Sequence, residues 1–416
     1  MCSIFGAFSQ VPISDYERAM LGQIAERAKD RGRDGGRMLD YKLAGGRFAI
    51  LGNWRATPTT EPPGAPPQPF DGVVHNGVIA NDKELGNAPG AVDSLILPKV
   101  LVRDQGLVAF AESLDQIKGS YAIAAIGTDT VYLATNFKPI YVCRIGQVFY
   151  FSSMERHLAP LLAAWERPAR INPYTAVDLA RMGQGGVAVI PRQYDHRALV
   201  IASGGLDSTV AAWALKAKGM TVDLIHFTYG CNAQKRELDR VVRIGWAGEM
   251  RGHIVPIDYS RMLGASGIMQ PGQIAPGIAG AEFAHEWVPA RNLMMISHAV
   301  AFAEANNYGF VALGNNLEEA GAYPDNEEEF TNLLDQALDY AVGPHRQVKL
   351  LAPVGNLMKH EIVKLGLQLG VPFEHTWSCY RDGDAHCGEC GPCFMRREAF
   401  RRNGAVDPVF PPSPVY

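Results

Sequence analysis

The chain has 416 residues, enough for two domains with separate hydrophobic cores. Its 47% hydrophobic and 20% charged residues describe a globular protein, and a formal net charge of -4 gives no general pull toward nucleic acid. No apolar run has the length of a membrane span, and the N-terminus lacks the basic flank and apolar core of a secretory leader, so no membrane partner and a cytoplasmic location are expected.

The first residues read MCSIF. Removal of Met1 would leave Cys2 with a free α-amine beside its thiol. An α-amine titrates near ~8, so at neutral pH it can act as the thiol's base. A tolerant second position is the simpler explanation of an isolated Met-Cys pair, and the rest of the chain has to decide.

Helical periodicity is predicted over DYERAMLGQIAERAKDR (15–31) and DSLILPKVLVRD (93–104). Short apolar runs bounded by turn residues predict strands at GRFAILGNW (46–54), DGVVHNG (71–77), SYAIAAIG (120–127), TVYLATN (130–136) and QVFYFSS (147–153). Between them PTTEPPGAPPQPF (58–70) is too rich in proline for helix or central strand and reads as a surface loop. GQGGVAVIPRQYDHR (183–197) is the predicted linker, with domains at 1–192 and 193–416.

Beyond it strands and helices alternate: ALVIAS then DSTVAAWALKAKG, TVDLIHFTYG then KRELDRVVRIGWAGEMRG, HIVPIDY, and LMMISHAVAFAEANNYG then FVALGNN. This alternation predicts a doubly wound parallel sheet. Its first βα turn is Ser203-Gly204-Gly205-Leu206-Asp207-Ser208. The serine and glycines can offer backbone N–H groups to an anion at a helix N-terminus. Asp207 and Ser208 are placed to cap the helix and to reach the anion or its magnesium ion. Neither a Walker A lysine nor a G-x-G-x-x-G fingerprint is present. GASGIMQPGQIAPGIAG (264–280) has the length and glycine content of a lid.

Near the end, Cys379, Cys387, Cys390 and Cys393 are spaced C-x7-C-x2-C-x2-C. Four thiolates on glycine-containing turns suit tetrahedral Zn2+ in a structural site. An iron–sulfur cluster is the competing reading, but no C-x3-C-P continuation follows.

The S-G-G-L-D-S string resembles the PP-loop of N-type ATP pyrophosphatases. Together with HEWVPARNLMMIS (285–297), LGNNLEEAGAYPD (313–325), APVGNLMKHEIVKLGLQLGVPFEHTWSCY (352–380) and the cysteine cluster, it makes residues 197–402 resemble the QueC family of ATP-dependent, zinc-containing 7-cyano-7-deazaguanine synthases. The first domain resembles a class II, Ntn-type glutamine amidotransferase, an α+β sandwich. That likeness runs through Cys2, RGRDGGR (31–37), GNWRATPTTE (52–61), VVHNGVIAN (73–81), VDS (92–94), IKGSYAIAAI (117–126) and FSSMERHL (151–158). The whole is similar to Gat-QueC fusions.

The resemblance implies Cys2 as nucleophile, with Asn76 and Gly77 as its oxyanion hole. Arg55 and Asp93 would hold the glutamine α-carboxylate and α-ammonium. It also implies ATP, with Mg2+, on Ser203, Gly204, Gly205, Asp207 and Ser208, and a 7-deazaguanine near Arg291, Asn292, Tyr323 and Asp325. The leading expectation is addition of glutamine-derived ammonia to 7-cyano-7-deazaguanine, free or within tRNA or DNA, to give a formamidine. The alternatives are the ATP-dependent synthase reaction on 7-carboxy-7-deazaguanine, and a deazaguanine conjugation or defence protein with a non-catalytic first half. The oligomeric state is left open, a homodimer included. One departure bears on this choice: the family's Cys-Arg after Y-P-D is replaced by Asn326 and Glu327–Glu329. Acid in the pocket would favour a neutral or cationic C7 substituent, whereas a solvated helix start would be indifferent to it.

Overall fold

The computed structural model describes residues 2–56, 66–258, 287–320, 323–343 and 346–410. Met1, the expected lid at 264–280 and most of the proline-rich segment lie outside the described residues. The chain divides into two compact units, Met1–Gln193 and Tyr194–Tyr416.

The first unit is built on two antiparallel sheets. Its strands are β1 (Ser3–Ser9), β2 (Gly36–Lys42), β3 (Phe48–Trp54), β4 (Val73–Ile79), β5 (Gly119–Ile126), β6 (Val131–Thr135), β7 (Tyr141–Ile145), β8 (Val148–Ser152), β9 (Ala169–Arg170), β10 (Thr175–Asp178) and β11 (Val187–Val189). One sheet runs β2-β3-β1-β8-β7-β9 and the other β11-β10-β6-β5-β4. Side-chain alternation along the strands sorts the apolar residues into three layers. Ile4 and Phe8 of β1 meet Leu51, Val74, Ala122 and Leu133 between the sheets. Phe5 and Ala7 point the other way, onto Leu21 and Ile24 of helix α1 (Asp15–Ala28). On the far side of the second sheet, Ile123 and Ala125 pack on Leu97 and on Phe110 of α2 (Leu107–Ser113). The result is an α/β/β/α sandwich, the α+β architecture expected for this half. Helix α1 starts where Ser14 and Glu17 form a capping box.

One element differs from expectation. Residues 93–104 hold only a 3-10 turn and one helical turn, Leu97–Val100. The Val102 N–H donates to Ser113 Oγ at 3.2 Å, so the chain is tied back toward α2. Leu97 and Leu101 still reach the core without a continuous helix.

The second unit carries a five-stranded parallel sheet of β12 (Arg197–Ile201), β13 (Thr221–Thr228), β14 (Gly252–Pro256), β15 (Phe310–Ala312) and β16 (Lys349–Leu351). The order β14-β13-β12-β15-β16 makes it the doubly wound sheet predicted from the sequence. Helices cover both faces. Leu199, Ile225 and Val311 pack with Ile296, Ala299 and Val300 of α5 (Arg291–Asn306) and Leu338 of α6 (Glu328–Ala341). On the opposite face, Ala198, Val200 and Leu224 meet Ala212 and Leu215 of α3 (Leu206–Ala217) and Val241 and Ile244 of α4 (Gln234–Gly248). Helices α7 (Lys359–Gln368) and α8 (Gly391–Arg402) pack against α3. The strand order reverses between β12 and β15, and a crevice opens beyond their carboxyl ends.

Candidate functional site

In the first unit, the β1–β3 register pairs Ser3 with Trp54, which sets Cys2 and Arg55 opposite one another one step further on. Cys2 Sγ lies 3.8 Å from the Ala56 carbonyl. The loop RGRDGG is pinned to the same strand end: Asp34 N–H donates to Arg55 O at 2.9 Å and Arg55 N–H to Gly35 O at 2.8 Å. Burial draws the Arg31 guanidinium below its ordinary pKa, and Cys2 is among the groups that oppose this, so Arg31 stands near the thiol. The Arg55 side chain is buried and donates to the Pro66 carbonyl at 3.2 Å.

Asn76, Gly77 and Asp93 come together around β4. The Ile79 N–H donates to Asp93 Oδ2 at 2.7 Å, and Ser94 Oγ donates to Asp93 Oδ1 at 3.0 Å. A Cβ at Gly77 would collide with the Ser120 carbonyl, so no larger residue fits there. Asn76 and Asn53 are 1% and 0% exposed, yet all four of their amide atoms lack a hydrogen-bond partner among the described residues. By alternation Asn53 shares a strand face with Leu51, and Asn76 with Val74, both of the layer between the sheets. Leaving a buried polar group unpaired costs about 1–3 kcal/mol, which a polar ligand would recover. The sequence signal for Asn53 is an asparagine in the inward phase of the apolar run FAILGNW, which is not among the expected site residues.

In the second unit the crevice measures about 270 Å³ and is floored by the loop after β12. Gly204 takes φ +74, and a Cβ there would lie 2.8 Å from the Glu237 carbonyl, so this turn requires glycine. The Trp377 N–H donates to Gly204 O at 2.8 Å, and the Gly205 N–H to Ser203 Oγ at 3.2 Å. Contrary to expectation, neither Asp207 nor Ser208 caps α3: its N-cap is Gly205, with no side-chain cap. Ser208 Oγ instead accepts from Ser203 N–H at 3.4 Å. The bare helix start, with Ser203, Gly205, Asp207 and Ser208 on the wall, fits a polyphosphate.

Lys359 is not among the expected site residues, and its Nζ lies 2.6 Å from Asp207 Oδ2 and 2.8 Å from Glu319 Oε1 on the same wall. Arg291 and Asn292 also line the crevice. The Arg291 Nη1 donates to the Tyr229 hydroxyl at 3.3 Å. Burial pushes the Asp325 carboxyl up, while Arg291 and a hydrogen bond from Asn292 hold it down, which joins these three residues. Tyr323 stands beside them with its ring stacked on Trp287, centroids 6.4 Å apart. Glu327, Glu328 and Glu329 are exposed at the start of α6 and do not line the crevice.

The four cysteine sulfurs lie within 4.8 Å of one another, with Cys387–Cys393 and Cys379–Cys390 both at 4.0 Å. A tetrahedron with bonds of about 2.3 Å has edges of about 3.8 Å, so the set fits a metal of zinc's size. Backbone N–H groups of Arg381 and Cys387 donate to Cys379 Sγ, both at 3.4 Å, as suits a sulfur carrying charge. The His386 Nε2 accepts from Ser378 N–H at 3.0 Å, which leaves the cluster a four-sulfur set that could hold a metal.

Residues 197–404 match the family model described as queuosine biosynthesis protein QueC. Over 98% of its length the chain is 40% identical to a protein of Sulfolobus acidocaldarius named 7-cyano-7-deazaguanine synthase, covering 99% of that protein. It is 39% identical, with the same coverage, to 7-cyano-7-deazaguanine synthase 2 of Sulfurisphaera tokodaii. A 7-cyano-7-deazaguanine synthase of Nitratiruptor is 36% identical and matches 51% of this chain, which is 97% of its own length. Among solved structures, glutamine phosphoribosylpyrophosphate amidotransferase of B. subtilis aligns with 94% of this chain and 96% of its own, at 12% identity and a TM-score of 0.35.

Proposed function

The chain belongs to the QueC family, and from that premise we propose that it is an ATP- and glutamine-dependent 7-cyano-7-deazaguanine synthase. The observation that carries this reading is the switch-point crevice, which joins a glycine turn and bare helix start to the half-buried Arg291 on one wall. The polyphosphate of ATP is assigned to Ser203, Gly204, Gly205 and Ser208, with Asp207 as the ligand for Mg2+. The deazaguanine is assigned to the wall of Arg291 and Asn292, supported by Asp325 and Tyr323. A carboxylate substituent suits a wall that carries Arg291; the glutamates of α6 are exposed and off that wall, while Asp325 and Glu237 stand near the arginine.

In this reading AMP passes to the carboxylate oxygen and pyrophosphate leaves. Ammonia then displaces AMP to give the amide, and a second adenylation removes the amide oxygen to leave the nitrile. The first unit supplies the ammonia. Cys2 thiolate attacks the glutamine carboxamide, Asn76 Nδ2 and the Gly77 N–H steady the oxyanion, and Arg55 and Asp93 hold the amino-acid end. The unpaired amide of Asn76 supports that assignment, since a donor poised for developing charge is vacant until the reaction. The four cysteines hold a structural Zn2+, which ties the segment 379–393 into one piece.

A second reading has one observation in its favour. Relatives about half as long carry the synthase name and match 51% of this chain, and the QueC family model covers residues 197–404. The amidotransferase unit could thus serve an added step, addition of ammonia to the nitrile to give a formamidine. Mass spectrometry separates the two. The synthase converts 7-carboxy-7-deazaguanine to the nitrile with AMP and pyrophosphate released in step; the added step consumes the nitrile without ATP.

A further inference from the structure

We propose that the imidazole of His226 is the general base that takes the proton from ammonia as nitrogen bonds to the substrate carbon. This rests on nitrogen transfer occurring in the crevice of the second unit. His226 lies near the end of β13, is 2% exposed and lines that crevice. Its Nδ1 is 2.8 Å from the Ala202 carbonyl, which can only accept, so Nδ1 carries the hydrogen. Nε2 therefore presents a lone pair, and it has no hydrogen-bond partner among the described residues. A buried acceptor left unpaired costs about 1–3 kcal/mol, which a hydrogen-bond donor arriving in the crevice would recover.

Position and chemistry narrow what that donor is. The Ala202 N–H donates to Ile225 O at 2.8 Å and its carbonyl accepts from the imidazole, so His226 stands beside the turn assigned to ATP, in the crevice whose wall is assigned to the deazaguanine. Burial lowers the imidazole's pKa and outweighs the hydrogen bond to the Ala202 carbonyl, so the ring is neutral at pH 7. The carboxylates and the arginine on the wall have partners of their own, although Asp207 keeps one oxygen unpaired among the described residues. Asp207 and Glu319 bind Lys359, Glu237 accepts from the Cys231 thiol at 3.6 Å, and Arg291 donates to Tyr229.

The step balances. The ammonia lone pair forms the C–N bond, and the C–O bond to AMP breaks with its electrons on the departing phosphate. One N–H proton passes to Nε2 and is released to water afterwards.

The test uses the full chain with His226→Asn, whose amide can still donate to the Ala202 carbonyl. Two assays are read side by side: ATP–pyrophosphate exchange with 7-carboxy-7-deazaguanine and no nitrogen source, and ammonium-driven amide and nitrile formation. The expected result is retained exchange with nitrogen transfer reduced about 10²-fold or more. Near-normal transfer overturns the proposal, and so does loss of exchange in parallel with transfer, which would make His226 a nucleotide-holding residue. Absence of exchange in the unmodified protein would instead remove the synthase reading beneath it. Should the variant melt below assay temperature, His226→Gln is judged by the same two assays.

Discussion

Lys359 and Asp207 form an ion pair of 2.6 Å that joins the first residue of α7 to the first turn of α3. Glu319 adds a second carboxylate at 2.8 Å, and the lysine is mostly enclosed. Burial opposes its charge, but the two carboxylates outweigh burial and raise its pKa above the ordinary lysine value. For Glu319 too, burial pushes upward and Lys359 prevails, lowering the carboxyl. Lys359→Met leaves two carboxylates facing one another and should destabilise the fold by about 3 kcal/mol at pH 7. At Asp207 burial outweighs Lys359 and raises the carboxyl, so the pH dependence is carried by the lysine and Glu319. The lysine's contribution is complete below its unfolded pKa and fades as pH rises through the folded value. The Glu319 contribution is present above its unfolded pKa and fades as pH falls through the folded one. The penalty of Lys359→Met should therefore shrink in acid, and equal penalties in denaturant titrations at pH 7 and pH 4 would contradict the pairing.

Cys2→Ala should abolish glutamine hydrolysis while ammonium still supports product formation. The thiol's assigned work is only to release nitrogen, and the acceptor chemistry is assigned to the second unit. Glutamate release at an unchanged rate would show that another group attacks the amide.

Asn76→Leu separates function from stability. The side chain is buried with both amide atoms unpaired, so replacing it by an apolar group of similar volume removes a desolvation cost. Thermal stability should hold or rise, while glutamine hydrolysis falls about 10²–10³-fold through loss of an oxyanion donor. A stability loss with normal hydrolysis would identify a packing residue instead.

Local pattern made much of the fold legible. The amphipathic run 15–28 and the alternation of strands and helices after residue 197 each carry their own periodicity. Strand β1 was not predicted, because Gly6 and Ala7 dilute its apolar signal. That glycine is needed where the Ile50 carbonyl and the Phe151 ring press close. Helix α6 begins in the acidic run 327–329, which reads as solvent-facing charge. The cysteine set was legible because its spacing is local. The Lys359–Asp207 pair was not, because 152 residues separate its members and no short window contains both. His226 was hidden for another reason: a single polar residue in an apolar strand shows its purpose only when its neighbours are known.

The cysteine cluster predicts one zinc per chain by elemental analysis, removable by a strong chelator with loss of structure in 379–402 rather than of chemistry at constant fold. Cys390 is fully buried at the N-cap of α8, so Cys390→Ser should release both the metal and the start of that helix. Iron with visible cluster absorption would replace zinc by an iron–sulfur centre.

Glu237 provides the last test. Its carboxyl lines the crevice, and burial pushes it up to about 7 while Arg291 and the Cys231 thiol oppose that rise. In the unfolded chain it would titrate near ~4.3. Between those values the folded protein holds a proton that the unfolded chain has lost, so stability is fully present below the unfolded pKa and declines as pH rises through the folded one. At about 1.4 kcal/mol per unit, the decline attributable to this residue is at most about 4 kcal/mol. Glu237→Gln cannot titrate and should lose that part of the pH dependence. The variant should match the parent near pH 4 and exceed it above pH 8. Parallel stability curves across that window would show that the carboxyl is ionised in the folded protein throughout, and that Arg291 outweighs burial.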